Sequence, residues 1–77
     1  MMNNDIERSL IEIVSKVCRC DRNEITVDKP RDQIKNWDSF AHINIIMLSE
    51  SELGILIPIE EIANIKSIRD IIKYAKS

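Results

Sequence analysis

Ile6, Leu10, Ile13, Val14 and Val17 recur at i, i+4, i+7, i+8 and i+11. That spacing puts one apolar stripe on an α-helix and suits no strand, so it sets the class of fold from the first segment. The helix is expected over roughly residues 4–20. Asn4 would cap it, with Glu7 three residues on in the capping-box position. From Asp21 to Asn36 the period is lost, and Asp21-Arg22-Asn23 and Asp28-Lys29-Pro30 are turn material. A connection of that length in a small domain needs anchors, and Ile25, Val27, Ile34 and Trp37 are the candidates.

Asp38 then opens a second helix, running to about Leu53, and Trp37 is expected to cover its first turn. Its apolar residues occupy more than one face. Ile45 and Ile46 continue one side, while Phe40, Ile43 and Met47 form another. A domain of 77 residues cannot bury all of them, so part of that surface must meet another molecule. Gly54, the only glycine, falls where this helix should end. Ile55-Leu56-Ile57-Pro58-Ile59 resembles a strand, but Pro58 and the lack of a partner strand favour a short helix from Ile59 to Asn64. Ser67-Ile68-Arg69-Asp70 starts a last helix, with Ile68, Ile71, Ile72 and Ala75 inward. The expectation is one all-α domain over residues 1–77. It is a small four-helix bundle of three longer helices and a short third one, with a long loop between the first two. Sixteen isoleucines do not overturn this, because a β-branched residue costs a helix only tenths of a kcal/mol.

Charge narrows the partners. Residues 36–65 contain no Lys or Arg and five acids: Asp38, Glu50, Glu52, Glu60 and Glu61. Residues 1–35 balance to zero, and residues 66–77 carry a net +3. An all-acidic middle repels phosphate backbones, which disfavours nucleic acid and a helix-turn-helix reading. It suits a partner with a basic surface. No apolar run spans a bilayer, and Met1-Met2-Asn3-Asn4 does not begin a signal peptide, so a cytoplasmic protein is expected. Cys18 and Cys20 are two apart and read as reduced packing residues. With His42 far along the chain, no metal site is expected.

Chemistry must be sought at Ser39. No glycine-rich phosphate loop and no catalytic constellation is present, so an enzyme is not expected. His42 follows Ser39 by three residues, but without an orienting acid the pair is a weak triad signal, and a packing histidine is the simpler reading. A serine in the first turn of a helix has an accessible hydroxyl. An anion placed there meets free amides and the positive end of the helix dipole, worth about 0.3–1 kcal/mol. A phosphate or phosphodiester on Ser39 is therefore permitted, though not demanded.

Trp37-Asp38-Ser39-Phe40 resembles the Asp-Ser-Leu signature of acyl carrier proteins. The likeness extends over nearly the whole chain. Glu24-Ile25-Thr26 stands in the long loop, and Leu53-Gly54 and Ile57-Pro58 follow the second helix at the family's distance. Ile59-Glu60-Glu61-Ile62 matches the short third helix, and Ser67-Ile68-Arg69-Asp70-Ile71 the start of the fourth. The resemblance implies that Ser39 accepts 4′-phosphopantetheine from coenzyme A through a phosphopantetheinyl transferase. Acyl-loading and acyl-processing enzymes would then use the arm's thiol. Asp38, Phe40, Ile43 and Met47 would form the recognition surface, with Glu50, Glu60 and Glu61 supplying acidic contacts. Leu48, Leu53, Ile57, Ile62, Ile65 and Ile71 would line an acyl-binding region. Ala41, His42 and Asn44 depart from the usual fatty-acid carriers, which have acids early in this helix. A specialised carrier in a lipid or secondary-metabolite pathway, acting as a cytoplasmic monomer, is the expectation. Phe40 leaves an aminoacyl, D-alanyl-type or peptidyl carrier open, and so does an unmodified helical interaction module.

Overall fold

A computed structural model describes residues 3–75, and the side chains of residues 5–75. Three α-helices carry the fold: α1 (Asn3–Cys18), α2 (Ser39–Leu53) and α3 (Ile68–Lys73). A six-residue 3₁₀ helix, Ile59–Asn64, stands between α2 and α3, and two single 3₁₀ turns, Arg22–Glu24 and Arg31–Gln33, punctuate the long connection. No strand occurs among the described residues. The all-α bundle agrees with the expectation, with two adjustments. The last helix has only six residues, with Ala75 in the turn beyond it, and the short third helix winds as 3₁₀.

The first helix starts and stops earlier than its sequence pattern suggests. It begins at Asn3, so Asn4 lies inside it and is not its cap. Met1 and Met2, like Lys76 and Ser77, lie outside the described residues. The helix ends at Cys18 because Arg19 turns left-handed, at φ 56°. The Cys20 N–H then donates to the Ser15 carbonyl at 3.2 Å, a Schellman closure made without glycine. The Asn36 side chain donates to the Cys18 carbonyl at 2.8 Å, so the end of the long loop caps the end of α1.

The stripe of α1 delivers Leu10, Ile13, Val14 and Cys18 to the core. α2 adds Ala41, Ile45 and Ile46, and α3 adds Ile68, Ile71 and Ile72. The loop is anchored as its apolar residues require: Ile25, Ile34 and Trp37 are buried, and Val27 packs against them half-buried. Backbone bonds complete the anchoring. The Arg31 N–H donates to the Lys66 carbonyl at 2.7 Å, and the Arg69 N–H to the Val27 carbonyl at 2.9 Å. Arg69 and Asp28 add a two-pronged ion pair on the surface. The loop thus lies against Lys66 and the first turn of α3 and is held at several points. That places the residues before Ser39 reproducibly.

Candidate functional site at the start of α2

Asp38 is the N-cap of α2. Its backbone is extended, and its Oδ1 accepts from the Ala41 N–H at 2.8 Å. Ser39 is therefore the first helical residue, with its side chain exposed. The amides of Ser39 and Phe40 have no helical acceptor, as the first turn of any helix dictates. At the other end Gly54 takes φ 68° and its N–H closes the helix on the Glu50 and Ser49 carbonyls. The chain leaves in the left-handed conformation that glycine adopts without a Cβ penalty.

His42 stands one turn along and faces inward. It is buried, with both ring nitrogens engaged. Nδ1 accepts from the Trp37 indole N–H at 3.0 Å, so the ring proton sits on Nε2, which donates to the Ile62 carbonyl at 2.8 Å. Burial is the main force holding His42 below its ordinary pKa, so it stays neutral. A histidine so occupied has no free lone pair for Ser39, which removes the Ser–His reading. Instead it pins Trp37 and the 3₁₀ helix to the inner face of α2. Trp37 is buried and bonds through its indole to His42, the fourth residue of α2.

Ser39, His42, Ile43, Ile59, Ile62, Ala63 and Arg31 line one open groove of about 440 Å³ between α2 and the 3₁₀ helix. That is within the range of small-molecule sites, roughly 300–1,000 Å³. The wall is largely apolar, and among the described residues Arg31 is its only cation. The residues expected to line an acyl-binding region are not gathered here. Ile57, Ile65 and Ile71 are fully packed in the core, while Leu48 and Leu53 border a separate recess against α1. Of that set only Ile62 reaches the groove beside Ser39.

The outer face of α2 is as apolar as its sequence requires. Phe40 is 79% exposed, Ile43 47% and Met47 59%. Leu56 and Ile59, at 77% and 85%, extend the apolar surface past the end of α2. The sequence reading assigns no exposed role to this pair. The extended run before Pro58 alternates, with Ile55 and Ile57 inward and Leu56 outward. Asp38 directly precedes Ser39, and Glu60 and Glu61 stand on the 3₁₀ helix between the groove-lining Ile59 and Ile62, with Glu61 accepting from the Asn64 side-chain amide at 3.2 Å. Glu50 is apart from them, roughly 16 Å along the α2 axis from Ser39. Cys18 is fully buried and unoxidised, its thiol pushed up to about 11 chiefly by burial, and Cys20 is half-buried and also free. No cluster of metal-ligating side chains occurs among the described residues, and no helix there is long and apolar enough to cross a membrane.

Residues 8–75 match the protein family described as a phosphopantetheine attachment site. The chain is also 37% identical over 71 residues to proteins named acyl carrier protein from Rickettsia massiliae (strain Mtu5) and Rickettsia prowazekii (strain Madrid E). It is 35% identical over 71 residues to the one from Rickettsia canadensis (strain McKiel). Each comparison covers 92% of this chain and 83% of the relative. An exposed serine at a capped helix start with an open groove beside it is what a carrier needs. On these matches the chain belongs to the phosphopantetheine-binding family of acyl carrier proteins.

Proposed function

We propose that Ser39 is the residue that carries the 4′-phosphopantetheine arm, and that residues 1–77 act as one carrier domain. The observation that carries this reading is the exposed Ser39 hydroxyl on the first residue of α2, opening on the groove of Ile43, Ile59 and Ile62. The site fits the group. It offers a reachable oxygen nucleophile, unpaired first-turn amides for an anion, and an apolar wall beside it.

In the attachment step Ser39 Oγ forms a new P–O bond to the phosphorus that bears the pantetheine. The phosphoanhydride bond of coenzyme A breaks, and the adenine nucleotide leaves. The hydroxyl proton passes to a base of the transferase, because both nitrogens of His42 are committed elsewhere. Once attached, the arm supplies a thiol that holds acyl groups as thioesters. The chain's own part is to present that thiol. Asp38 fixes the start of α2, and Phe40, Ile43 and Met47 offer an apolar face to a transferase and to acyl-handling enzymes. Glu50, Glu60 and Glu61 contribute charge around it.

The pathway is read as a specialised one. Ala41 and Asn44 take the places of acids in fatty-acid-synthesis carriers, and Leu56 and Ile59 make the neighbouring surface more apolar than acidic. Encounter with partners that rely on many acidic contacts would be slower for such a surface. The chain is read as a monomer of the cytoplasm.

Intact mass after co-expression with a broad-specificity transferase tests the attachment. The wild type should gain the mass of one phosphopantetheine, and Ser39→Ala should gain none while keeping its melting temperature. A Ser39→Ala protein that still gains the arm would refute the assignment, and an unchanged wild-type mass would return the chain to the unmodified interaction module.

A further inference from the structure

We propose that Arg31 is the counter-cation of the arm: its guanidinium pairs with the phosphodiester on Ser39 and lays the arm along the groove of Ile43, Ile59 and Ile62. This rests on Ser39 carrying the arm.

Three observations converge on it. Arg31 and Ser39 line the same groove, although seven residues of loop separate them. The backbone of Arg31 is fixed by its N–H bond to the Lys66 carbonyl, which holds the residue at the groove rim independently of its side chain. Among the described residues, no hydrogen bond or ion pair engages its guanidinium, whereas Arg22 and Arg69 are both paired with acids. The half-buried side chain is thus an unpaired cation on the wall of the groove that Ser39 also lines.

Charge complementarity singles out the occupant. Residues 36–65 hold no Lys or Arg, and His42 is buried with both ring nitrogens engaged, so α2 and the 3₁₀ helix supply no cation for a phosphodiester at Ser39. The loop brings the missing charge across. A guanidinium is suited to the task, since its planar fork can donate to two phosphate oxygens at once. With one end of the arm held there, its apolar stretch lies against Ile59 and Ile62. Ile59 is otherwise left almost wholly in water. The bound arm is therefore positioned at the surface, outside the packed interior of Ile57, Ile65 and Ile71.

The test uses isotope-labelled protein, with intact mass measured first to establish that the arm is present. In the loaded protein the pantetheine methyl protons should show nuclear Overhauser contacts to the Ile59 and Ile62 methyls. The Arg31 Nε–H resonance should shift and exchange more slowly than in the unloaded form. Arg31→Gln should weaken the methyl contacts roughly two- to fivefold, the range an exposed ion pair supports, and Arg31→Lys should recover part of the loss. Adding salt to the wild type at about 1 M, where the screening length falls to roughly 3 Å, should weaken them without any substitution. A loaded wild type lacking these contacts overturns the proposal. So do contacts that survive both Arg31→Gln and high salt. A wild type that gains no mass refutes the reading of Ser39 beneath it.

Discussion

The indole N–H of Trp37 donates to Nδ1 of His42 across 3.0 Å of the buried interior, and this bond decides which way the histidine points. With Nδ1 occupied as an acceptor, the ring's only proton is on Nε2, directed at the Ile62 carbonyl. One imidazole thereby joins the end of the long loop, the first turn of α2 and the 3₁₀ helix. These are the three pieces that frame Ser39.

Removing that imidazole should cost stability. His42→Ala leaves the Trp37 N–H and the Ile62 carbonyl without their partner, and each buried unsatisfied group costs about 1–3 kcal/mol. We expect a clear drop in the urea midpoint and larger amide shifts at Ile62 than anywhere in α1. Unaltered stability would show that the two bonds contribute nothing to the fold.

Acidification should act through the same residue. The folded-state pKa of His42 is depressed below the ordinary 6.5, mainly by burial. The unfolded chain therefore binds more protons in that range, and stability rises with pH there. The contribution is complete above about pH 6.5 and is lost as pH falls through the lower folded pKa. Urea midpoints measured from pH 7.5 down to 5 should decline, and His42→Gln should flatten that decline. An equal decline in His42→Gln would assign it to other groups.

Asp38 separates helix capping from charge. Asp38→Ala should destabilise the protein by about 1 kcal/mol through loss of the bond to the Ala41 N–H. Asp38→Asn keeps an acceptor and should retain most of the stability. If transferase kinetics are impaired equally in both, the carboxylate is needed for recognition; if only Asp38→Ala is impaired, the cap suffices.

Met47 should matter for partners and little for the fold. It is mostly exposed, so Met47→Glu buries no charge and should leave the melting temperature nearly unchanged. It should impair arm attachment or acyl loading far more than Glu50→Gln, because desolvated apolar anchors carry most binding energy. A collapsed melting transition would place Met47 in the core, and normal kinetics would remove it from the docking face.

Gly54→Ala should destabilise by roughly 1–2 kcal/mol, the penalty for an L-residue in the left-handed region. At φ 68° nothing lies within 4 Å of where a Cβ would project, so the loss is conformational and not steric crowding. Gly54→Asn, which tolerates that region better, should be milder in the same denaturation experiment.

Local rules determined much of this protein. The α1 stripe, the Asp38 cap and the Gly54 stop are written in short spans of sequence, because helical period, first-turn amides and a positive φ are properties of neighbouring residues. The same holds for the division of α2 into a buried and an exposed face, and for the apolar anchors of the loop. The family likeness around Ser39 was legible for the same reason. What the sequence could not specify were relations across the chain. Nothing local says that Arg19 ends α1 without a glycine, or that Asn36 returns to cap it. The partners of His42 lie five residues before it and twenty after, so its tautomer and burial exist only once the 3₁₀ helix is docked. Arg31 belongs to a charge-balanced stretch and becomes the groove's cation only because the loop folds back against Lys66. Likewise, Leu48 and Leu53 share an apolar character with Ile62 but face α1, since the rotation of α2 in the bundle is set by side-chain packing and not by helical period alone.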